Sequence, residues 1–155
     1  MQPAMMSAAT SPFARRIFLV IAMLALGGAL VSSASLYHHY GTSATSYCDI
    51  GENFNCDLVN RSTYSTVAGI PVALIGVAGY LAVLTLATFY RNQAQAPAML
   101  AIASLAGLGF ALYLTYVEGF VLAAWCILCL SSLVLIFGIA VLSSLLWVRG
   151  VRQAD

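Results

Sequence analysis

Four long apolar runs, separated by short polar segments, decide most of what this chain can become. A helix needs about 20 mostly apolar residues to cross the hydrocarbon layer of a bilayer, and such runs cover roughly residues 17–36, 67–90, 97–116 and 120–147. With 62% of its 155 residues hydrophobic and 7% charged, the chain has too little polar surface for a soluble domain. Backbone amides in lipid must be satisfied within the spanning structure, which leaves helices or a closed barrel, and runs of this length are helical. The expected fold is an all-α membrane protein, a single domain over residues 1–155 built as a bundle of four transmembrane helices.

Charge gives the orientation. All six basic residues are arginines, and Arg15, Arg16, Arg91, Arg149 and Arg152 fall before the first run, between the second and third, and after the fourth. These places share one side of a four-span topology, which the positive-inside rule makes cytoplasmic. Both termini are then inside, and the 37–66 loop and the 117–119 turn face out. The outer loop carries Asp49, Glu52, Asp57 and Arg61. Nothing in the charge pattern forms a basic patch, so nucleic acid is not an expected partner. Residues 1–14 form a small polar tail to which no function is assigned. Ser32-Ser33-Ala34 offers small residues suited to signal-peptide cleavage, but the apolar stretch continues through Leu36 and Tyr37, so the first run is expected to remain as a span.

The chemistry lies in four cysteines. Cys48 and Cys56 stand in the outer loop, with Gly51 and Asn53 between them to turn the chain, on the side where disulfides persist. Cys126 and Cys129 stand inside the apolar run 123–130. Residues three apart on a helix share a face at about 5–6 Å, within reach of a disulfide. The fourth run begins outside, so this close pair lies about 6–12 Å below the outer surface at helical rise, and both pairs meet at the same face. Thiol exchange proceeds when a thiolate attacks a disulfide through a mixed intermediate, so a relay needs a mobile cysteine that visits a fixed pair; Cys56 is the candidate. An apolar site raises a thiol's pKa, so the close pair needs help from the helix start or a bound acceptor. A lipid-soluble quinone, which takes two electrons at that depth, is the natural acceptor.

Other features read more plainly. Pro71 and Pro97 mark helix starts, where a missing amide costs little. Gly76, Gly79, Ser104, Gly107 and Gly109 suit close helix contact in lipid. Tyr113, Tyr116, Glu118, Phe120 and Trp125 cluster at outer helix ends, where aromatics form an interfacial belt or line a pocket for a flat ring. Asn60-Arg61-Ser62 has the pattern of a glycosylation acceptor, a match frequent by chance. Two rival readings of the cysteines remain: a loop staple beside a buried packing pair, and a metal site recruiting His38 and His39. The histidines lack ligand-like spacing, and no metal is expected.

Taken in order, Cys48, seven residues, Cys56, then Ser62, Gly69-Ile70-Pro71 and finally Cys126-Ile127-Leu128-Cys129 in the fourth run, the chain resembles the vitamin K epoxide reductase family in its bacterial form. The resemblance covers nearly the whole chain. It implies a four-helix bundle whose extracytoplasmic loop caps a quinone site. It implies that Cys48 exchanges with a partner protein, Cys56 passes electrons to Cys126, and Cys129 lies against the quinone ring. Ser62 or Thr63 takes the family's hydroxyl position, and Tyr64 stands where an aromatic, often tryptophan, follows it. Tyr64, Tyr113, Tyr116 and Trp125 complete the expected quinone-binding or supporting set. Many bacterial members carry a fused thioredoxin-like domain, whereas this sequence stops at Asp155, so the expected partner is a separate periplasmic thioredoxin-like (DsbA-type) protein. The implied function is a thiol oxidoreductase that forms disulfides and reduces ubiquinone or menaquinone, a vitamin K-type quinone being equally compatible. A DsbB-type quinone reductase is the nearest enzyme rival, but there the close pair belongs to the first outer loop and the wide pair to the second. A non-catalytic four-span scaffold braced by a loop disulfide is the other alternative.

Overall fold

A computed structural model of the chain describes residues 11–41, 48 and 51–154; the tail residues 1–10, the loop residues 42–47, 49 and 50, and Asp155 lie outside the described residues. The first helix, α1 (Pro12–Tyr40), begins where Ser11 caps it, its hydroxyl accepting the Ala14 N–H at 3.1 Å, with Pro12 in the first turn where its missing amide is not needed. The helix therefore starts before the arginine pair and ends beyond the apolar run. Its buried residues, among them Ala14, Ile17, Phe18, Ile21, Ala25 and Gly28, recur at helical spacing along one stripe.

The described part of the outer loop holds short regular elements. A short helix, α2 (Cys56–Asn60), and a 3-10 turn (Thr63–Ser65) lead into a two-stranded hairpin, β1 (Thr66–Val67) and β2 (Ile70–Pro71), in which Thr66 opposes Pro71 and Val67 opposes Ile70. Its two turn residues, Ala68 (φ 52°) and Gly69 (φ 80°), both take positive φ, as a two-residue hairpin with native twist requires. The second apolar run, expected to turn helical from residue 67, thus spends its first residues on this hairpin.

Helix α3 (Val72–Thr88) follows Pro71 and has 17 residues. Helix α4 (Ala96–Val117) continues as a π turn over Glu118–Leu122, and α5 runs over Ile127–Ala154. The last helix was expected from residue 120 after a turn at 117–119. Instead the chain stays helical to Leu122, Ala123 reverses it with φ 49°, and the Ala124 N–H closes the turn on the Glu118 carbonyl at 3.1 Å. Apolar composition does not distinguish a buried turn from a helix, which is why the boundary moved. By length and composition Pro12–Tyr40, Ala96–Leu122 and Ile127–Arg152 can cross a membrane, while Val72–Thr88 is apolar and shorter.

Helix α1 is central, packing on α3 and α5, and α4 packs on α5. Phe18, Ile21, Leu100 and Ile139 are buried at the centre. Gly28 leaves the notch that the Tyr80 ring fills, and the Tyr80 hydroxyl reaches the Ser132 carbonyl and hydroxyl, each at 2.8 Å. Outward-facing Met23, Leu30 and Val134 are 74%, 65% and 69% exposed, an apolar surface of the kind lipid covers. At one end of the bundle the Arg149 guanidinium lies 4.4 Å from the centre of the Phe13 ring, joining the start of α1 to the end of α5. The loop elements cap the opposite end.

Candidate active site

The cap is held from two directions. Asn55 starts α2 by accepting the Leu58 N–H at 2.8 Å on its side chain, which makes Cys56 the first helical residue. Cys56 is disulfide-bonded to Cys48, their Cα atoms 5.7 Å apart. From α1, His38 Nδ1 meets Asp57 Oδ1 at 3.1 Å, His39 Nδ1 meets the Asn60 carbonyl, and the Arg61 guanidinium donates to the Gly41 carbonyl. From the other side, the Trp125 N–H donates to the Asn53 carbonyl at 2.9 Å and the Asn55 N–H to the Trp125 carbonyl at 3.1 Å. This short β-bridge pins the residue before Cys56 to the residue before Cys126. Cys48, Cys56 and Cys126 are each at most 1% exposed and form one buried cluster with Val59 and Ala124.

Cys126 lies in the coil between the π turn and α5. Its carbonyl accepts the Leu130 N–H at 3.0 Å and opens the helix, while its own N–H donates to Glu118 Oε2 at 3.1 Å. The Asn60 amide donates to the Cys56 carbonyl at 2.9 Å and to Cys126 Sγ at 3.8 Å. Cys126 and Cys129 are free thiols.

Cys129, in the first turn of α5, lines a cavity of about 390 Å³; Cys126 does not. The volume lies within the 300–1,000 Å³ common for small-molecule sites. Its walls are apolar, with Val31, Ala103 and Ile136 among them, and Asn60, Ser62 and Tyr64 descend from the cap. His39 and Glu118 add polar groups to the lining. A flat, mostly apolar ring with polar edges, as in a quinone, fits this lining. At Gly79, which also lines the cavity, nothing stands within 4 Å of where a Cβ would be. That glycine was expected to serve helix contact and opens space instead; Gly76 does both, since a Cβ there would stand 2.8 Å from Ser32 Oγ.

The sequence-selected residues divide accordingly. Ser62 lines the cavity and donates to the Val59 carbonyl at 2.8 Å, and Tyr64 lines it while 46% exposed. Thr63 is exposed in the 3-10 turn and outside the lining. Tyr113 and Tyr116, 56% and 58% exposed, also lie outside it, Tyr116 stacking on Phe120 with ring centroids 4.9 Å apart. Trp125 sits over Gly119 and serves the site through its backbone bridge. Thr63, Tyr113, Tyr116 and Trp125, expected to bind the quinone or support the site, are thus not among the residues lining this cavity. Among the described residues no group of three or more His, Cys, Asp or Glu side chains could hold a metal ion.

Sequence reasoning named Glu118, Asn60 and His39 but gave none of them a place in the site. Glu118 had a usable signal, as the only acidic residue in the span 96–122, because an ionisable group at membrane depth is expensive and usually functional. Asn60 was noticed only for its glycosylation pattern, and its contact with Cys126 depends on a fold that brings together residues 66 positions apart. Against known families, the model described as the vitamin K epoxide reductase family matches residues 19–144, a stretch running from α1 through both cysteine pairs into α5.

Proposed function

Because this chain belongs to the vitamin K epoxide reductase family, we propose that it is a membrane thiol oxidoreductase that passes two electrons from Cys48/Cys56 to Cys126/Cys129 and on to a quinone. One observation carries the reading: Cys126 is buried in the cluster of the loop cysteines, while Cys129, its partner three residues on, lines the cavity. The close pair thus joins the thiol side of the site to the cavity side.

A thioredoxin-like dithiol reduces the Cys48–Cys56 disulfide, and its own thiols leave as a disulfide. The Cys56 thiolate then attacks Cys126 of an oxidised Cys126–Cys129 pair, forming a Cys56–Cys126 bond and releasing Cys129 as thiolate. Cys48 attacks Cys56, restores the loop disulfide and frees Cys126. The close pair is now a dithiol. A bound quinone supplies the final acceptor for two electrons and two protons as the Cys126–Cys129 bond closes. Asn60, Ser62 and Tyr64 from above and Cys129 from the side would hold its ring. The cap faces the periplasm in this reading, supported by the arginines at the opposite end. The bilayer, the quinone and a periplasmic thioredoxin-like protein are the partners.

The test uses purified protein in lipid nanodiscs with a reduced thioredoxin-like protein and a short-chain ubiquinone, following quinol formation. Cys126→Ala and Cys129→Ala are each expected to abolish it. Cys56→Ala is expected to abolish it with the protein substrate and to spare part of it with a small dithiol. Full activity in either close-pair variant refutes the assignment, and a scaffold gives no quinol at all.

A further inference from the structure

A relay of sulfurs and a quinone moves electrons, but the chemistry also moves protons. Two S–H bonds break as the Cys126–Cys129 bond forms, and two O–H bonds form on the acceptor. Cys129 and the cavity are walled by apolar side chains, and thiols exchange protons poorly with distant water across such walls. A group within reach of the thiol and facing the same cavity is needed.

Glu118 has that position. It is 2% exposed and lines the same cavity as Cys129. Its contact, Oε2 to the Cys126 N–H at 3.1 Å, fixes the carboxyl at the start of α5. The other titratable side chains lining the cavity are His39 from α1, Tyr64 from the cap, Tyr80 from α3 and Cys129 itself. His39 Nδ1 is engaged by the Asn60 carbonyl and Ser65 Oγ, and the Tyr80 hydroxyl by Ser132. Of these groups, Glu118 alone is a carboxylate, and it is held at the start of the helix that carries Cys129 while lining the same cavity.

We propose that Glu118 is the proton carrier of the site, taking the Cys129 proton as the Cys126–Cys129 bond forms and delivering it to the quinone oxygen. The inference rests on the thiol-to-quinone reading above. The two sulfurs are oxidised by two electrons and the quinone is reduced by the same two. The carboxylate takes up the Cys129 proton and releases it to an oxygen. It then does the same for the Cys126 proton, ending unprotonated as it began. At low pH the carboxyl is already protonated and cannot accept, so the step slows as pH falls through the ionisation of Glu118.

The rival role is purely structural, a side chain that caps the Cys126 amide. Glu118→Gln separates the two, because its side-chain oxygen still accepts that N–H while its amide cannot relay a proton. In nanodiscs, single-turnover quinol formation from the dithiol protein with short-chain ubiquinone is expected to fall about a hundredfold in Glu118→Gln, the lower range for a lost acid–base group, and to lose its acidic limb. Independently of turnover, alkylation of Cys129 by N-ethylmaleimide in quinone-free wild-type protein is expected to titrate in two steps, one from the carboxyl and one from the thiol, collapsing to one step in Glu118→Gln. A wild-type rate, or a slowed rate with the acidic limb intact, overturns the proposal. So does a single-step alkylation profile in the wild-type chain, which needs no variant to fold. Wild-type protein that yields no quinol removes the underlying reading as well, whereas normal wild-type turnover with an unaffected Glu118→Gln removes only the carrier.

Discussion

The Asn60 side-chain amide donates to the Cys126 sulfur across 3.8 Å while also holding the Cys56 carbonyl at 2.9 Å. One side chain therefore ties the loop cysteine's helix to the sulfur that the loop cysteine is proposed to meet. Hydrogen bonds to charged groups contribute about 1.5–3 kcal/mol; a long bond to a diffuse sulfur belongs at the low end, and about 1.4 kcal/mol is a factor of ten. Asn60→Leu is expected to slow alkylation of Cys126 about tenfold in the reduced protein, read by mass spectrometry in a Cys129→Ser background. An unchanged rate would show that the amide serves only α2.

Gly119 lets the Trp125 ring lie flat against the π turn: an added Cβ would stand 2.8 Å from Cη2 of that ring. Overpacking costs typically about 1–3 kcal/mol, and here the ring sits on the residue whose backbone pairs with Asn53 and Asn55. Gly119→Val is expected to shift the bridge and slow quinol formation at least about tenfold, while the helical content seen by circular dichroism stays unchanged. Trapping a Cys56–Cys126 cross-link in Cys129→Ser protein measures the same displacement, and an undiminished yield alongside normal turnover contradicts it.

The long apolar helices were legible because lipid imposes a simple rule: long apolar runs become helices. The cysteine pairs could be read in the same way, since their spacing and placement are local. What escaped the sequence was local geometry inside apolar stretches. Residues 120–126 are as apolar as a span yet form a π turn and coil, so the Cys126–Cys129 pair begins a helix instead of sitting within one. Tyr113 and Tyr116 stand near the outer end of α4 but outside the cavity lining, and depth alone does not give a face. Asn60 reaches Cys126 only when segments 66 positions apart meet, whereas Glu118 stands eight residues from the amide it holds.

That difference of face makes the aromatic assignments testable. Tyr113 and Tyr116 lie outside the cavity lining, and Gly79 borders it with open space at its Cβ position. Tyr113→Ala and Tyr116→Ala are expected to leave the KM for short-chain ubiquinone within about twofold. Gly79→Leu fills part of the cavity and is expected to raise it about tenfold, the equivalent of about 1.4 kcal/mol of lost binding. If both tyrosine variants raise KM and Gly79→Leu does not, the ring binds elsewhere.

The notch between α1 and α3 gives a stability test that does not depend on function. A Cβ on Gly28 would overlap the Tyr80 ring, which is 5% exposed and anchored to Ser132 through its hydroxyl. Interhelical hydrogen bonds in membrane proteins average about 0.6 kcal/mol, so Tyr80→Phe is expected to cost little in a reversible unfolding assay in mixed micelles. Gly28→Ala forces the ring out of its seat and is expected to cost more, about 1–3 kcal/mol. Residues in direct contact are not additive: once Tyr80→Ala has emptied the notch, Gly28→Ala should add almost nothing. Measuring the four corners of this cycle decides the matter, because additive costs would mean that the tyrosine ring does not rest against Gly28 in the folded bundle.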